Sequence, residues 1–210
     1  MNLKAERGAA TRDRVLAIAT RLFAEHGYDG TSIEMVLHES ALSRGALYHH
    51  YAGKDALFEA VLEAVEERVG REIAEAVTRA DGAAGAATGT AGAVGAGAGG
   101  AAEALRLGVL AWVRLAGDPV IQRIVLIDAP SVLGWEKWRE VEARHAFGML
   151  KGALRATGAV PGDHLDLYAH MLLAAVNEMA LLVARTGKTE EAERAVEDFL
   201  ARLLAGPAPT

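Results

Sequence analysis

The chain has 210 residues, no cysteine and a formal net charge of −6, so a disulfide framework, thiolate chemistry and cysteine-based zinc sites are excluded. An acidic chain is not expected to bind nucleic acid through overall charge. We expect no membrane span and no signal peptide, since no apolar run looks long and uncharged enough and the N-terminus lacks an apolar core.

Half of the chain is hydrophobic, aromatic residues are few and alanine is abundant, which favours helices over sheets. The sequence predicts a cytoplasmic, all-α protein of about nine helices. Residues 1–10 are predicted to be a disordered arm. Thr11 is expected to cap a helix over 12–26, which Gly27 ends as a C-cap.

The stretch Thr31–Lys54 predicts two short helices joined by a tight turn. Thr31 and Glu34 have the spacing of a capping box at the start of the first helix. Ser43 is a suitable N-cap for the second, which we expect over Arg44–His50. Two helices of this length with a turn between them indicate a helix-turn-helix motif, whose second helix enters the major groove of DNA.

The predicted second helix has an exposed surface that suits a nucleic-acid duplex. Tyrosine, histidine and serine can donate to phosphate oxygens, and arginine can contact a phosphate or a guanine edge. Gly45 weakens the helix but allows a partner to approach its backbone closely. The residues expected to share this surface are Arg44, Gly45, Tyr48, His49 and His50.

The segment resembles the DNA-binding motif of the tetracycline-repressor (TetR) family of bacterial regulators. The resemblance rests on Thr31, on the run Ser43–Tyr51, and on Lys54 and Leu57, and it covers about residues 11–65. It implies that the operator is contacted by Thr31, Ser43, Arg44, Gly45, Tyr48, His49, His50 and Lys54. We expect Tyr48, His50 and Lys54 to hold phosphates, and Arg44 and His49 to meet base edges.

The sequence departs from the family pattern in two places. Tyr51 replaces a phenylalanine, which we expect to be harmless. Ala41 stands where the family usually has a glycine at a left-handed position, at a cost of about 1 kcal/mol.

The charge is unevenly distributed along the chain. Residues 1–55 contain seven basic and seven acidic residues, so the remainder carries the whole charge of −6. We predict a DNA-binding domain over 1–55 and a helical ligand-binding and dimerisation domain over 56–210. Without a basic patch, specificity is expected to come from placed contacts and dimer spacing.

Beyond the motif, the pattern predicts further helices over 54–80, 103–116, 135–156, from Asp163 to about 185, and 190–204. Another is expected to start at Asp118-Pro119 and to break at Asp128–Pro130. The helix that starts at Lys54 is expected to act as a lever between the two domains. Residues 82–102 consist almost entirely of glycine and alanine, which predicts a flexible loop.

The last two helices, over about 163–205, have more apolar surface than one small bundle needs. Two helices from each of two chains would make a four-helix bundle. The resemblance implies such a homodimer, with two recognition helices in successive major grooves. The alternative is that both helices fill their own core.

Several polar and aromatic residues lie among apolar helical positions and could line a cavity for an unidentified small effector. They are Trp112, Asp128, Trp135, Trp138, His145, Phe147, His170, Met171 and Asn177. No pair of histidines has metal-ligand spacing, so we predict no metal and no cofactor.

Three function classes remain open. The first is a ligand-responsive repressor that binds a palindromic operator as a homodimer, and the second is a DNA-binding regulator without a small ligand. The third is a helical enzyme or a pure dimerisation module. No nucleophile elbow or dinucleotide fingerprint is present, and we predict no enzyme.

Overall fold

The computed structural model describes residues 3–88 and 98–205, with side chains over 8–80 and 99–205, and these residues form helices and no strand. The all-α prediction is confirmed. The described helices number nine when segments joined by π-helical turns are counted together. The chain divides into two compact units: Met1–Val65 with Pro119–Arg139, and Glu66–Asp118 with Glu140–Thr210. The predicted division at residue 55 is a functional one and stays a prediction.

The first unit begins with α1 (Leu3–Gly30), α2 (Ile33–Ser40), α3 (Arg44–His50) and the start of α4 (Lys54–Thr88). Large side chains fill its core. The rings of Phe23 and Phe58 pack edge to face, with their centroids 5.1 Å apart. Gly27 interrupts α1 at φ 72°, ψ 175°, which confirms the predicted break. The predicted disordered arm is wrong, because helix formers dominate from Leu3 onward and extend α1 to that residue.

The cap of α2 differs from the prediction. Ser32, not Thr31, caps the helix, and its Oγ accepts from the Met35 N–H at 3.2 Å. Thr31 is buried, with its hydroxyl 2.9 and 3.0 Å from the carbonyl oxygens of Gly27 and Leu22. Two adjacent hydroxyl residues compete for one cap position, and burial against α1 decides the choice. Thr31 therefore has no surface to offer a phosphate.

The turn between α2 and α3 contains Ala41 in the left-handed region, at φ 53°, ψ 28°. This confirms the expected backbone conformation at an alanine. The side chain pays a steric cost of about 1 kcal/mol there relative to glycine.

The second part of the first unit is the segment Pro119–Arg139. It comprises a π-helical stretch (Ile121–Asp128), α6 (Ala129–Leu133) and the start of α7 (Trp135–Glu142). The predicted break at Asp128–Pro130 is wrong, because Pro130 lies in the first turn of α6, where its missing N–H is not needed. The interruption comes at Gly134, at φ 75°.

The second unit contains the rest of α4, α5 (Ala98–Leu115), α8 (Gly148–Thr157), α9 (Leu165–Thr186) and α10 (Thr189–Leu204). A π-helical turn (Ala143–Phe147) joins α7 to α8, and a 3-10 turn (Gly162–His164) precedes α9. A bidentate ion pair joins α5 to α10: Arg114 donates from Nε and Nη2 to the Glu193 carboxylate at 2.8 and 3.0 Å.

Two predictions about ends of elements are corrected in this unit. The predicted loop over 82–102 is wrong at both ends, since α4 continues to Thr88 and α5 begins at Ala98. Alanine there sustains the helix despite the glycines, and residues 89–97 lie outside the described residues. Asp163 is not an N-cap, because it lies within the 3-10 turn and α9 has no side-chain cap among its described neighbours.

Within Gly162–Thr186, which contains α9, an 18-residue stretch is apolar enough for a membrane span, with a mean hydropathy of 1.6, contrary to our expectation. Helices of soluble proteins can have the same length and composition, so these two properties alone do not indicate a membrane span. The structure shows why the segment is so apolar. Besides its buried face, α9 exposes large apolar side chains, with Leu167 64% and Met171 57% exposed.

Candidate nucleic-acid interface and internal cavity

Helix α3 is fixed at its start and along one side. Ser43 caps it, with Oγ accepting from the Ala46 N–H at 3.2 Å, as the sequence predicts. Leu47 is fully buried and anchors the helix to the core. The opposite side, with Arg44, Tyr48 and His49, is exposed. A short helix held in this way can present its outer side chains in defined positions.

The first turn of α3 is open to a partner. Arg44 is 60% exposed and its Nη2 donates to Glu34 Oε1 of α2 at 2.6 Å. At Gly45, apart from its chain neighbours and the nearby backbone of its own helix, no described atom lies within 4 Å of where a Cβ would stand. The backbone there is therefore accessible to a phosphate or a base edge.

The last turn of α3 and the residue that follows it carry two imidazoles and two phenol rings. Tyr48 is 42% exposed. His49 and His50 meet edge to face, with ring centroids 5.4 Å apart. Tyr51, which follows α3, is 4% exposed, and its buried hydroxyl has no hydrogen-bond partner among the described residues.

Lys54, the first residue of α4, lies beside this surface. Its Nζ is 4.0 Å from the centroid of the Tyr28 ring, a cation–π contact. The Tyr28 hydroxyl donates to the Asp55 carboxylate. Burial, followed by the hydrogen bond and charge of Asp55, raises the pKa of Tyr28 to about 12.

The structure thus brings most of the predicted DNA-facing residues to one surface of the first unit, with Thr31 as the exception. His50 and Lys54 are half-buried. Glu34 was missed as a member of this surface because the sequence assigned it to a capping box.

The second unit contains a cavity of about 360 Å³. Its wall is almost wholly apolar and comes from α4, α5, the α7–α8 run and α9. Small residues in the wall, such as Gly108 and Ala153, leave space that larger side chains would fill. Its polar members are Glu66, Thr78, Trp112 and Asn177.

Two buried carboxylates belong to this unit: one lines the cavity and the other binds a residue of its wall. Glu66 lines it and is 4% exposed. Glu142, equally buried, accepts a hydrogen bond from Asn177 Nδ2 at 2.7 Å. The indole Nε1 of Trp112 is also buried, and no described group accepts its hydrogen.

Of the residues predicted to bind a ligand, Trp112 and Asn177 line the cavity and the others do not. The rings of Phe147 and His170 pack together with their centroids 4.3 Å apart, and Met171 is exposed on α9. His145, on the π-helical turn, is half-buried but is not part of the wall.

The remaining predicted ligand residues belong to the first unit, where they have other contacts. Asp128 Oδ2 accepts from the Tyr28 N–H at 2.7 Å and from Arg123 Nε at 3.1 Å, which caps the chain after the Gly27 kink. Trp135 and Trp138 pack together at 5.3 Å between ring centroids, with Arg139 over both rings.

Most of the cavity wall was missed because its apolar residues repeat at helical spacing and look like ordinary core. The available signal was the presence of small residues at core positions of successive helices. Within the described ranges, no group of three or more histidine, aspartate or glutamate side chains is arranged to hold a metal ion.

Two family models match the chain. The first, bacterial regulatory proteins of the tetR family, matches residues 15–61. The second, the tetracyclin repressor-like C-terminal domain, matches residues 102–207.

Curated relatives match about a third of the chain. The HTH-type transcriptional repressor Rv1474c of Mycobacterium tuberculosis is 43% identical over 61 residues, 29% of this chain and 33% of the relative. The HTH-type transcriptional repressor AcnR of Corynebacterium efficiens is 35% identical over 65 residues, 31% of this chain and 35% of the relative. The chain therefore matches only about a third of the length of these relatives.

Solved structures match over nearly the whole length. A TetR-family transcriptional regulator from Pectobacterium atrosepticum superposes with a TM-score of 0.70 and 26% identity, covering 97% of this chain and 98% of the other.

Proposed function

Because the chain belongs to the TetR family of bacterial regulators, we propose that it is a ligand-responsive transcriptional repressor. It binds a twofold-symmetric operator as a homodimer, and a small, mostly apolar molecule releases it. The observation that carries the proposal is the exposed surface of α3, whose polar side chains are held from below by the Ser43 cap and the buried Leu47.

The contacts divide by chemistry. Tyr48, His50 and Lys54 lie toward the end of α3 and the start of α4 and hold phosphates, which position the helix without reading sequence. Arg44 and His49 meet base edges, since the N-terminal residues of a recognition helix are the ones that reach into the groove. The first 55 residues have no net charge, so sequence-independent attraction is weak and the salt dependence of binding is modest.

The homodimer forms through α9 and α10. Their outer faces carry Leu167, Met171, Leu182 and Phe199, each at least 40% exposed. On α9 these residues recur at helical spacing, and a large exposed apolar patch of this kind marks an interface. A second copy is the proposed occupant, because a twofold dimer presents two α3 helices to a palindromic operator.

The effector fills the cavity of the second unit, whose volume of about 360 Å³ is at the lower end of the range for small-molecule sites. The almost wholly apolar wall disfavours an ionised ligand, since a charge that is buried without a partner is costly. The indole N–H of Trp112 favours a ligand with an acceptor oxygen, because a buried donor without a partner is costly. The effector class is therefore a neutral, mostly apolar molecule with a hydrogen-bond acceptor.

Release follows from differential affinity. A ligand that bound the operator-competent and incompetent forms equally would shift nothing, however tightly it bound. The effector must therefore bind better to the form that does not hold DNA.

The first experiment is selection from a random duplex pool at moderate salt, followed by sequencing. We expect a twofold-symmetric site that Tyr48→Ala no longer enriches. Trp135→Ala is the matched control: it removes an aromatic side chain that is 62% exposed in the same unit but lies outside α3. Absence of any enriched site from a folded dimer would overturn the proposed function.

The effector class is tested with pairs of probes that share one skeleton, such as decanol and decanoate. We expect the alcohol to raise the thermal midpoint and to release DNA, and the carboxylate to do neither. Equal binding of both probes to the unaltered protein would show that the proposed class is wrong.

A further inference from the structure

An ion pair bridges the two helices of the helix-turn-helix. Glu34 is the second residue of α2 and Arg44 is the first residue of α3, and Arg44 Nη2 lies 2.6 Å from Glu34 Oε1. Both side chains are more than half exposed, at 65% and 60%. Exposed pairs contribute little to stability, so the contact matters mainly for where it places the guanidinium group.

The glutamate is the fixed member of the pair. A hydrogen bond from its own backbone N–H, followed by the one from Arg44, holds the pKa of the Glu34 carboxyl below its usual range. The Ser32 side chain also contacts this carboxyl, and the first turn of a helix favours a negative charge. Arg44, by contrast, is a long side chain with one described ion-pair partner.

Arginine retains donors for a second partner when it is paired in this way. The guanidinium group has five N–H donors in a planar fork. With one Nη2 hydrogen on Glu34, the remaining donors can still form the bidentate contact with O6 and N7 of guanine. A phosphate contact would need no such fixed plane.

We propose that Glu34 is a positioning residue that holds Arg44 for a guanine and makes the protein discriminate at one base pair of each half-site. The inference rests on the proposed function, since it requires an operator. The inference also gives the Glu34 carboxylate a role on a surface that we expect to face DNA phosphates. Its negative charge weakens binding to every duplex, but by positioning Arg44 it increases the discrimination between the correct base pair and others.

The test uses the operator selected by the unaltered full-length protein. Arg44→Ala identifies the base pair at which discrimination disappears. The measured quantity is the ratio of dissociation constants for the operator and for an operator changed at that base pair. We expect Glu34→Ala to reduce this ratio by about tenfold, Glu34→Gln to retain more of it, and the double variant to equal Arg44→Ala alone.

Glu39→Ala is the matched control. Glu39 is also on α2 and is also paired with an arginine, Arg21, but it does not contact Arg44. Removing it changes the charge of the first unit equally, so both alanine variants should bind all duplexes somewhat more tightly. The ratio should remain unchanged for Glu39→Ala.

Two outcomes would overturn the inference, and they are distinguishable. If the unaltered protein selects no operator, the proposed function fails and this inference fails with it. If an operator is selected but Glu34→Ala leaves the ratio unchanged while all duplexes bind more tightly, Glu34 is only a repelling charge. The proposed function would then stand and the positioning role would not.

Discussion

The two units use their interiors in opposite ways. In the first, large side chains such as Phe23, Leu47 and Phe58 are fully buried, and the candidate functional residues lie outside this core. In the second, glycine and alanine in the helices leave about 360 Å³ open among apolar walls. A surface that must hold its side chains in defined positions needs a tightly packed core beneath it. A binding site for a small molecule instead needs an internal cavity.

The largest expected effect compares one leucine from each unit. Leu47→Ala should lower the free energy of unfolding by about 3–4 kcal/mol. The substitution removes buried apolar atoms from a tightly packed site and leaves a new cavity there. Leu105→Ala removes the same atoms from a residue that is also buried, but that already borders open space. It should cost about 1 kcal/mol less. Urea unfolding at one protomer concentration measures both, and equal costs would break the comparison.

Gly27→Ala should destabilise the protein by about 2 kcal/mol. Gly27 has φ +72°, and an added Cβ would stand 1.8 Å from Arg123 Nη2. The guanidinium group would have to move, and with it the contact to Asp128. Thermal and urea unfolding measure the loss, and an unchanged midpoint would show that the kink tolerates a side chain.

Gly108→Ala, unlike Gly27→Ala, should stabilise the protein, by about 1 kcal/mol, since alanine is the better helix former. Gly108 lies inside α5 and lines the cavity, and the nearest atom to an added Cβ is Ile73 Cγ2 at 3.5 Å, an ordinary contact. The same urea series measures the gain. A loss would mean that the cavity wall is packed as tightly as the first unit.

Tyr51→Phe should stabilise by up to about 1 kcal/mol. The hydroxyl is buried and none of the described residues bonds to it, so its removal relieves a desolvation cost. This substitution would restore the residue that the family usually has. Tyr48→Phe is the control: its hydroxyl belongs to an exposed side chain, so stability should not change while DNA binding weakens.

The smallest expected effect concerns alkaline pH. The pKa of Tyr28 is raised from 10.0 to about 12, so the folded state favours the protonated phenol. Its contribution is fully present below pH 10 and is lost as the pH rises toward 12. Absorbance titration should show one of the four tyrosines ionising near pH 12, and Tyr28→Phe should remove that step.

Local signals predicted the second helix of the helix-turn-helix and the turn before it well. The bounds of α3, its Ser43 cap and the left-handed Ala41 follow from residues within one turn of each other. The prediction that Thr31 caps α2 was wrong because its neighbour Ser32 can also cap the helix. Only the burial of Thr31 against Leu22 and Gly27 decides between the two residues.

The cavity could not be predicted in the same way. Whether Val109 faces a neighbour or an open space depends on how α4, α5 and α9 approach one another, and periodicity does not report this.

The aromatic residues Trp135 and Trp138 looked like cavity walls but form a surface cluster with Arg139. Pro130 looked like a helix break because the sequence does not show that it opens a new first turn.

The docking of Pro119–Arg139 in the first unit has a consequence for protein engineering. A fragment cut after Val65 would lack Asp128, which accepts from the Tyr28 N–H at the kink of α1. A chimaera that exchanged only the N-terminal residues would pair that kink with a foreign segment. Modular transplantation of the DNA-reading part therefore requires both stretches of chain, taken together as one graft.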